Sequence, residues 1–162
     1  MIRNHHTGIA TVEFAIAAAV LFIMIFGVLE VGRTYFVYAM LDEVTRRGAR
    51  LAVVCPVNDP AIPQMAIFNA SGDASESSLV KNLMPANVVI EYLDDANAVV
   101  ASPSIPTGFA QIRYVRARIV GFQHQMFVPF ANALASFFMG EFESTLPRES
   151  LGIPREGIVT PC

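Results

Sequence analysis

The stretch that decides the fold is residues 5–33, HHTGIATVEFAIAAAVLFIMIFGVLEVGR. Its central part, residues 9–29, contains 21 residues, and Glu13 is the only charged side chain among them. A helix of that length covers about 30 Å, which is the hydrocarbon thickness of a bilayer. A cleaved secretory signal has a shorter apolar core followed by a break, whereas here the helical pattern continues past Leu29. The sequence therefore predicts one transmembrane helix that stays with the protein.

The helical pattern continues beyond the predicted span and ends just before Pro56. Small and apolar residues recur at steps of four and three, which places them on one helix face; they are Val37, Leu41, Val44, Gly48, Leu51 and Cys55. The other face is charged, and Asp42 with Arg46 and Glu43 with Arg47 are i,i+4 pairs on a solvated surface. Pro56 disfavours the α conformation in the residue before it. We expect the apolar face to pack on a domain.

The remaining residues, 56–162, are expected to form one small α+β domain, because 107 residues are enough for a single core. Residues 87–95 and 109–127 are rich in β-branched and aromatic side chains and predict strands. In the second of these, Arg116 and Arg118 alternate with apolar residues, as in a sheet with one solvated face. The predicted fold class is α+β, with a long N-terminal transmembrane helix continuing into a small domain whose antiparallel sheet packs on the helix.

Two further segments of the domain have helical patterns. Asp73 and Glu76 have the spacing of a capping box, which predicts a short helix that ends before Pro85. Residues 127–139 are apolar, with phenylalanines at helical spacing and Gly140 as a C-terminal stop. The second segment fits the core, or alternatively an exposed patch for a partner or for the membrane surface.

The sequence contains two cysteines, Cys55 at the end of the predicted helix and Cys162 at the last position. A disulfide between them is the natural pairing and requires an oxidising compartment, which favours an extracytoplasmic domain. The alternative is two unrelated thiols. The arginines conflict with this orientation, because Arg3 alone precedes the span while Arg33 and three further arginines follow it.

The sequence offers no motif for catalysis, for a cofactor or for a metal. His124 is the only histidine beyond the first six residues, and no nucleophile motif accompanies it. Asp94 and Asp95 have the composition of a turn. The net charge of −3 gives no indication of nucleic acid. We expect no enzymatic activity, cofactor, metal or nucleic-acid partner; a membrane-tethered enzyme whose pocket forms only in the fold stays open as an alternative.

Two acidic residues lie in or beside the predicted span, where an ionised group costs a few kcal/mol at the bilayer centre. Glu30 stands three residues before Arg33, and an ion pair at the membrane interface accounts for it. Glu13 has Ile16 and Ala17 at i+3 and i+4. The partner of Glu13 must therefore come from elsewhere.

The spacing of Gly8 and Glu13 resembles the processing site of type IV prepilins, which a membrane aspartic peptidase cuts after the glycine. Three further motifs follow in order, VEFA at 12–15, FGVLEVGR at 26–33 and RRGAR at 46–50. With Gly8 they give a more detailed resemblance to TadE-like minor pilins, or pseudopilins, of the tight adherence (Tad, Flp-type) pilus machinery. Ala19 stands where many members have a proline, which favours a straighter helix here.

The resemblance implies that a prepilin peptidase cleaves between Gly8 and Ile9. It also implies that Glu13 pairs with the N-terminal ammonium of a neighbouring subunit. Ala15 and Ala19 form a small-xxx-small pair suited to close helix packing. The expected segments are a leader at 1–8, a transmembrane helix at 9–30, its extramembrane continuation at 31–55 and an extracytoplasmic domain at 56–162.

The expected function is a contribution to assembly of the pilus used in adherence and surface attachment. The expected partners are the prepilin peptidase, other pilins and pseudopilins, the pilus assembly platform of the inner membrane, and the lipid bilayer. The expected location is the bacterial inner membrane, with the N-terminus in the cytoplasm and the domain in the periplasm, and the pilus is left open as a further location. The alternative is an uncleaved single-pass anchor that carries an extracytoplasmic protein-binding or sensing domain.

Overall fold

A computed structural model of the chain describes residues 7–126, 140–153 and 162. Helix α1, Thr7–Val54, is one uninterrupted helix of 48 residues, which at about 1.5 Å per residue is about 72 Å long. The amide N of Cys55 still donates to the Leu51 carbonyl at 2.8 Å, and Pro56 follows directly. The helix therefore ends where the proline predicts.

A three-stranded antiparallel sheet packs on the second half of α1, as predicted, and its strand order is β1, β2, β3. The first two strands correspond to the two predicted strands. The third was not predicted, because its five residues include polar side chains and a proline. The elements after α1 are α2 Ala61–Ala66, a 3₁₀ turn Pro85–Asn87, β1 Val88–Leu93, α3 Pro106–Gln111, β2 Tyr114–Ile119 and β3 Glu143–Pro147.

The core lies between α1 and the sheet and has two adjoining clusters. The first cluster packs against residues 37–44 of α1. It contains Val37, Leu41, Val44, Ala66, Ile67, Val80, Leu83, Val88 and Phe142. The cluster at the end of α1 contains Ala52, Val53, Cys55, Ile62, Tyr92, Val100, Ile112, Val115 and Leu151. Of the predicted apolar helix face, Leu51 is half-buried and the other five residues are buried.

The charged face of α1 forms one of its two predicted ion pairs. Arg46 Nη2 lies 2.9 Å from Asp42 Oδ2, and both side chains are largely solvated. No ion pair joins Glu43 to Arg47 in the described part of the chain. Arg47 lies over the ring of Phe68, with its guanidinium carbon 4.9 Å from the ring centroid. This side of the helix is therefore partly covered by the segment that follows α2.

The prediction of a short helix after Asp73 is wrong, because residues 67–84 contain turns and bends but no helix. Asp73 Oδ1 accepts a hydrogen bond from the Ser75 amide at 2.9 Å, and Glu76 Oε1 accepts one from the Asn82 amide. These bonds make local turns that compete with a helix. Hydrogen bonding by the Ser75 side chain, and then by its amide, lowers the pKa of Asp73.

The second predicted strand is shorter than expected. Pro106 begins helix α3 at a position where its missing N–H costs nothing, so residues 109–111 are helical. Strand β2 ends at Ile119, shortly before Gly121, whose φ of +69° interrupts an extended backbone. The apolar segment 127–139, predicted as core or as an exposed patch, lies outside the described residues.

The outer face of the sheet carries an ion-pair network centred on Glu91. Arg116 Nη2 lies 2.6 Å from Glu91 Oε2, and Arg118 Nη2 lies 2.8 Å from Glu91 Oε1. Burial raises the pKa of Glu91, but the hydrogen bonds and charges of the two arginines together outweigh it and hold the pKa below its ordinary value. The predicted alternation of arginines with buried residues is confirmed here, since Val115 and Ala117 face the core.

Candidate functional site

The first half of α1 makes almost no contact with the rest of the described chain. Residues 8–29 are exposed at every position except Ala18, which is half-exposed. By length and composition this helix could cross a membrane, and none of its most apolar window is buried within the protein. A surface this apolar needs lipid or neighbouring helices to cover it.

The predicted cleavage position lies at the accessible end of this segment. A Cβ atom built on Gly8 would meet nothing within 4 Å, and Ile9 is 65% exposed. The hydroxyl of Thr11 donates to the Gly8 carbonyl oxygen at 2.8 Å, which keeps that carbonyl within the helix. The structure thus presents both residues in the first turns of α1, and their role in cleavage stays a prediction.

Glu13 lies one helical turn beyond Ile9 and on nearly the same face of α1, because positions i and i+4 are neighbours on a helix. Its side chain is exposed. Among the described residues, none forms a hydrogen bond or an ion pair with it. Ala15 and Ala19 are also exposed and are one turn apart, so neither acts in folding of the domain.

Glu30 is the first buried residue of α1, at 8% exposure. Its Oε1 lies 3.3 Å from Arg33 Nη1, which is the ion pair predicted from the spacing. This burial was not predicted from the sequence. Thr34 Oγ1, which donates to the Glu30 carbonyl at 2.9 Å, also lies 3.5 Å from His124 Nε2.

His124 therefore brings the chain after β2 next to Thr34 of α1. This end of the domain, next to the exposed half of α1, is called the foot of the domain. Burial lowers its pKa, the nearby Arg33 guanidinium lowers it further, and Glu30 opposes these effects. The imidazole is consequently neutral near pH 7. Sequence reasoning assigned His124 to a strand, whereas it follows the end of β2 in irregular chain.

The far end of α1 is closed by the C-terminal part of the chain. The disulfide between Cys55 and Cys162 is present, and their Cα atoms are 5.7 Å apart. The amides of Leu151 and Gly152 donate to the carbonyls of Val53 and Val54 at 3.0 and 2.8 Å. These bonds satisfy two of the carbonyls that the end of a helix leaves without partners.

The described residues contain no group of three or more His, Cys, Asp or Glu side chains that could hold a metal ion. Asp94 Oδ1 accepts the amides of Ala96 and Ala98, both at 2.9 Å, and so belongs to the predicted turn. The features that stand out are instead an exposed apolar helix segment and an acid in its first turns.

These features define a class: a protein with a long N-terminal helix suited to a single pass through a membrane, whose small antiparallel sheet packs on the second half of that helix. Residues 8–50 match the model of the family described as TadE-like protein. The match ends within α1 and includes Gly8, Glu13, Glu30 and Gly48. The resemblance predicted from the sequence is confirmed over these residues. No curated protein and no solved structure matches the chain.

Proposed function

We propose that this protein is a minor pilin or pseudopilin that contributes to assembly of the Tad (Flp-type) pilus, a structural subunit and not a catalyst. The TadE-like match over residues 8–50 supports a Tad pilus-related function. The observation that carries the proposal is the exposed apolar half of α1, with Gly8 at its start and Glu13 one turn beyond Ile9. Lipid can cover such a helix in the membrane, and the helices of other subunits can cover it after assembly.

The proposed arrangement places residues 9–30 in the inner membrane, residues 31–55 outside it and residues 56–162 in a periplasmic domain. Burial that begins at Glu30 supports the end of the span. The disulfide at the far end of α1 supports an oxidising compartment for the domain. The N-terminus then lies in the cytoplasm, and residues 1–8 form a leader that a prepilin peptidase removes.

Cleavage between Gly8 and Ile9 creates a new α-amino group, whose pKa in ordinary peptides is about 8 and which is therefore largely cationic at neutral pH. An ammonium and a carboxylate are both costly in hydrocarbon. Pairing Glu13 of one subunit with the Ile9 ammonium of a neighbour neutralises both charges at once. Ala15 and Ala19 allow the two helices to approach closely. Other pilins, pseudopilins and the assembly platform are the proposed partners.

The processing step is tested by determining the mature N-terminus in cells with and without the cognate peptidase. We expect a chain that begins at Ile9 only when the peptidase is present. Gly8→Leu should block cleavage, and Gly27→Leu is the matched control, because a Cβ at either glycine meets nothing within 4 Å. A chain that begins at Met1 in both strains would contradict processing and favour the uncleaved anchor.

The pairing is tested with Glu13→Gln, which keeps the shape of the side chain and removes its charge. We expect the variant to be inserted and cleaved but to lose crosslinks to other pilins and to reduce piliation. Val12→Ala, at the adjacent exposed position, is the control. Normal piliation by Glu13→Gln would remove the pairing from the mechanism.

A further inference from the structure

A pocket of about 190 Å³ lies at the foot of the domain, beside the end of the proposed span. We name it the basal pocket. Three parts of the chain that are distant in sequence line it: α1, the turns before β1, and the segment after β2. The residues that matter here are Arg33, Phe36, Leu79, Lys81, Asn82 and His124.

The lining combines cations with apolar surface. Arg33 and Lys81 provide two positive charges, and Asn82 and the neutral His124 add polar groups. Phe36 and Leu79 are about half exposed, at 50% and 48%. A pocket for a small inorganic anion has no need of exposed apolar walls, whereas an anion that carries an organic group uses both kinds of surface.

Two acids near the pocket are engaged by other groups. Arg33 forms an ion pair with Glu30, whose side chain is the more buried of the two. Glu76 accepts the backbone amide of Asn82, so it is committed to the turn that presents Lys81. Lys81 is exposed and forms no ion pair with the residues that the structure describes. The pocket thus keeps an accessible cation.

The height of the pocket matches the headgroup layer of a membrane. Arg33 follows Glu30 by three residues, which is about 4.5 Å along the helix axis. The polar layer on each side of a bilayer is about 5–7 Å thick. Tyr35, at 75% exposure, lies at the same level, where aromatic residues are enriched in membrane proteins.

We propose that the basal pocket binds the phosphate of an anionic phospholipid in the leaflet beneath the domain. Arg33 and Lys81 contact the phosphate, and Asn82 and His124 lie beside the polar head. Phe36 lies about 4.5 Å farther from the span than Arg33, so Phe36 and Leu79 pack on the carbon atoms of the headgroup, on the side away from the hydrocarbon. This inference rests on the proposed span of residues 9–30. It assigns the foot of the domain a defined seat on the membrane.

Lys81 is the only lysine in the sequence, so its acetylation reports on the pocket without interference from other lysines. The full chain in detergent would be treated with an amine-reactive acetylating reagent, with short-chain phosphatidylglycerol, short-chain phosphatidylcholine or inorganic phosphate present. Mass spectrometry of the Lys81 peptide gives the rate. At a lipid concentration of about twice the Kd, phosphatidylglycerol should slow acetylation about threefold, and the other two additives should leave it unchanged.

The matched control moves the reporter away from the pocket. The double variant Lys81→Arg with Arg50→Lys places the lysine on an exposed position of α1, about 26 Å beyond Arg33. Its acetylation should be the same under all three conditions. Equal slowing of both reporters would trace the effect to surface charge and overturn the pocket.

Leu79→Asn tests the apolar wall, since it should weaken the protection by phosphatidylglycerol while the Cys55–Cys162 disulfide stays intact. Two results would overturn the proposal: Lys81 equally reactive in both lipids, or inorganic phosphate protecting as well as phosphatidylglycerol does. Cleavage at Ile9 is measured separately. A processed protein with an unprotected Lys81 would therefore remove this inference and leave the proposed function standing.

Discussion

A Cβ atom placed on Gly48 would lie 3.3 Å from the Cβ of Ala117, so α1 and the central strand meet where neither residue has bulk. The Cβ of Ala66 in α2 lies 3.4 Å from the same point. Glycine normally weakens a helix. Here its missing side chain sets the separation between the helix, the sheet and α2, which gives the glycine of the RRGAR segment a physical role in packing.

A large side chain at Gly48 should force the helix away from the sheet. We expect Gly48→Leu to destabilise the protein by about 1–3 kcal/mol, the usual cost of overpacking, in urea unfolding of the full chain in detergent. Gly48→Ala should be nearly neutral, because about 1 kcal/mol of helix propensity offsets the crowding. Gly32→Leu is the control, since a Cβ there meets nothing within 4 Å. Equal stability of the two leucine variants would contradict the packing role.

The disulfide should contribute strongly to stability because it closes a loop of 107 residues. In the loop-entropy model a bridge of this span contributes about 4–5 kcal/mol. We expect Cys162→Ser, or reduction of the wild type, to lower the free energy of unfolding by up to that amount. A reductant should then have no further effect on Cys162→Ser. A variant as stable as the oxidised wild type would show that the main-chain bonds of Leu151 and Gly152 suffice.

Glu91 should make stability depend on pH. The arginines hold its folded pKa below the ordinary value of 4.5, so its contribution is fully present above that value and is lost as the pH falls through the folded pKa. Glu91→Gln should cost about 1–3 kcal/mol at pH 7. The difference in unfolding free energy between wild type and variant should shrink as the pH falls from 5 toward 3. A constant difference across that range would contradict the ionic origin.

Substitution of the two acids in the N-terminal half of α1 should have different effects, one on folding and the other on assembly. Glu30 is buried with Arg33, so Glu30→Gln should lower the stability of the domain by about 1–3 kcal/mol. Glu13 is exposed, and Glu13→Gln should leave the unfolding curve unchanged while it impairs association with other pilins. Limited proteolysis of both variants in detergent provides the comparison. Destabilisation by Glu13→Gln would mean that this acid also supports the fold.

The parts of the fold that were predicted correctly depend on local rules. Pro56 ends α1 because of its own geometry, and the alternation around Arg116 defines β2 because one face of the sheet is solvated. The capping-box pattern at Asp73 failed because the carboxylate accepts the amide of Ser75 in a turn. Nothing in the local sequence distinguishes these two uses of an aspartate.

The missed features depend on contacts between distant segments. The burial of Glu30 coincides with the approach of the His124 segment, 94 positions later in the chain. Strand β3 carries a weak pattern and forms by pairing with β2. Gly8 and Glu13, by contrast, could be selected from the sequence because their spacing forms a motif, although no contact within the described chain explains it.

The length of α1 beyond the proposed span fixes how far the domain extends along the helix. Leu151 and Gly152 are fixed to the end of the helix, while His124 lies beside Thr34 at the other end of the domain. The domain therefore extends along α1 from the end of the helix back to the proposed span. The domain occupies the layer beside residues 31–54, which is about 36 Å deep, and any protein that recognises the domain must reach into this layer. Inserting seven helical residues between the span and the domain would raise that layer by about 10 Å.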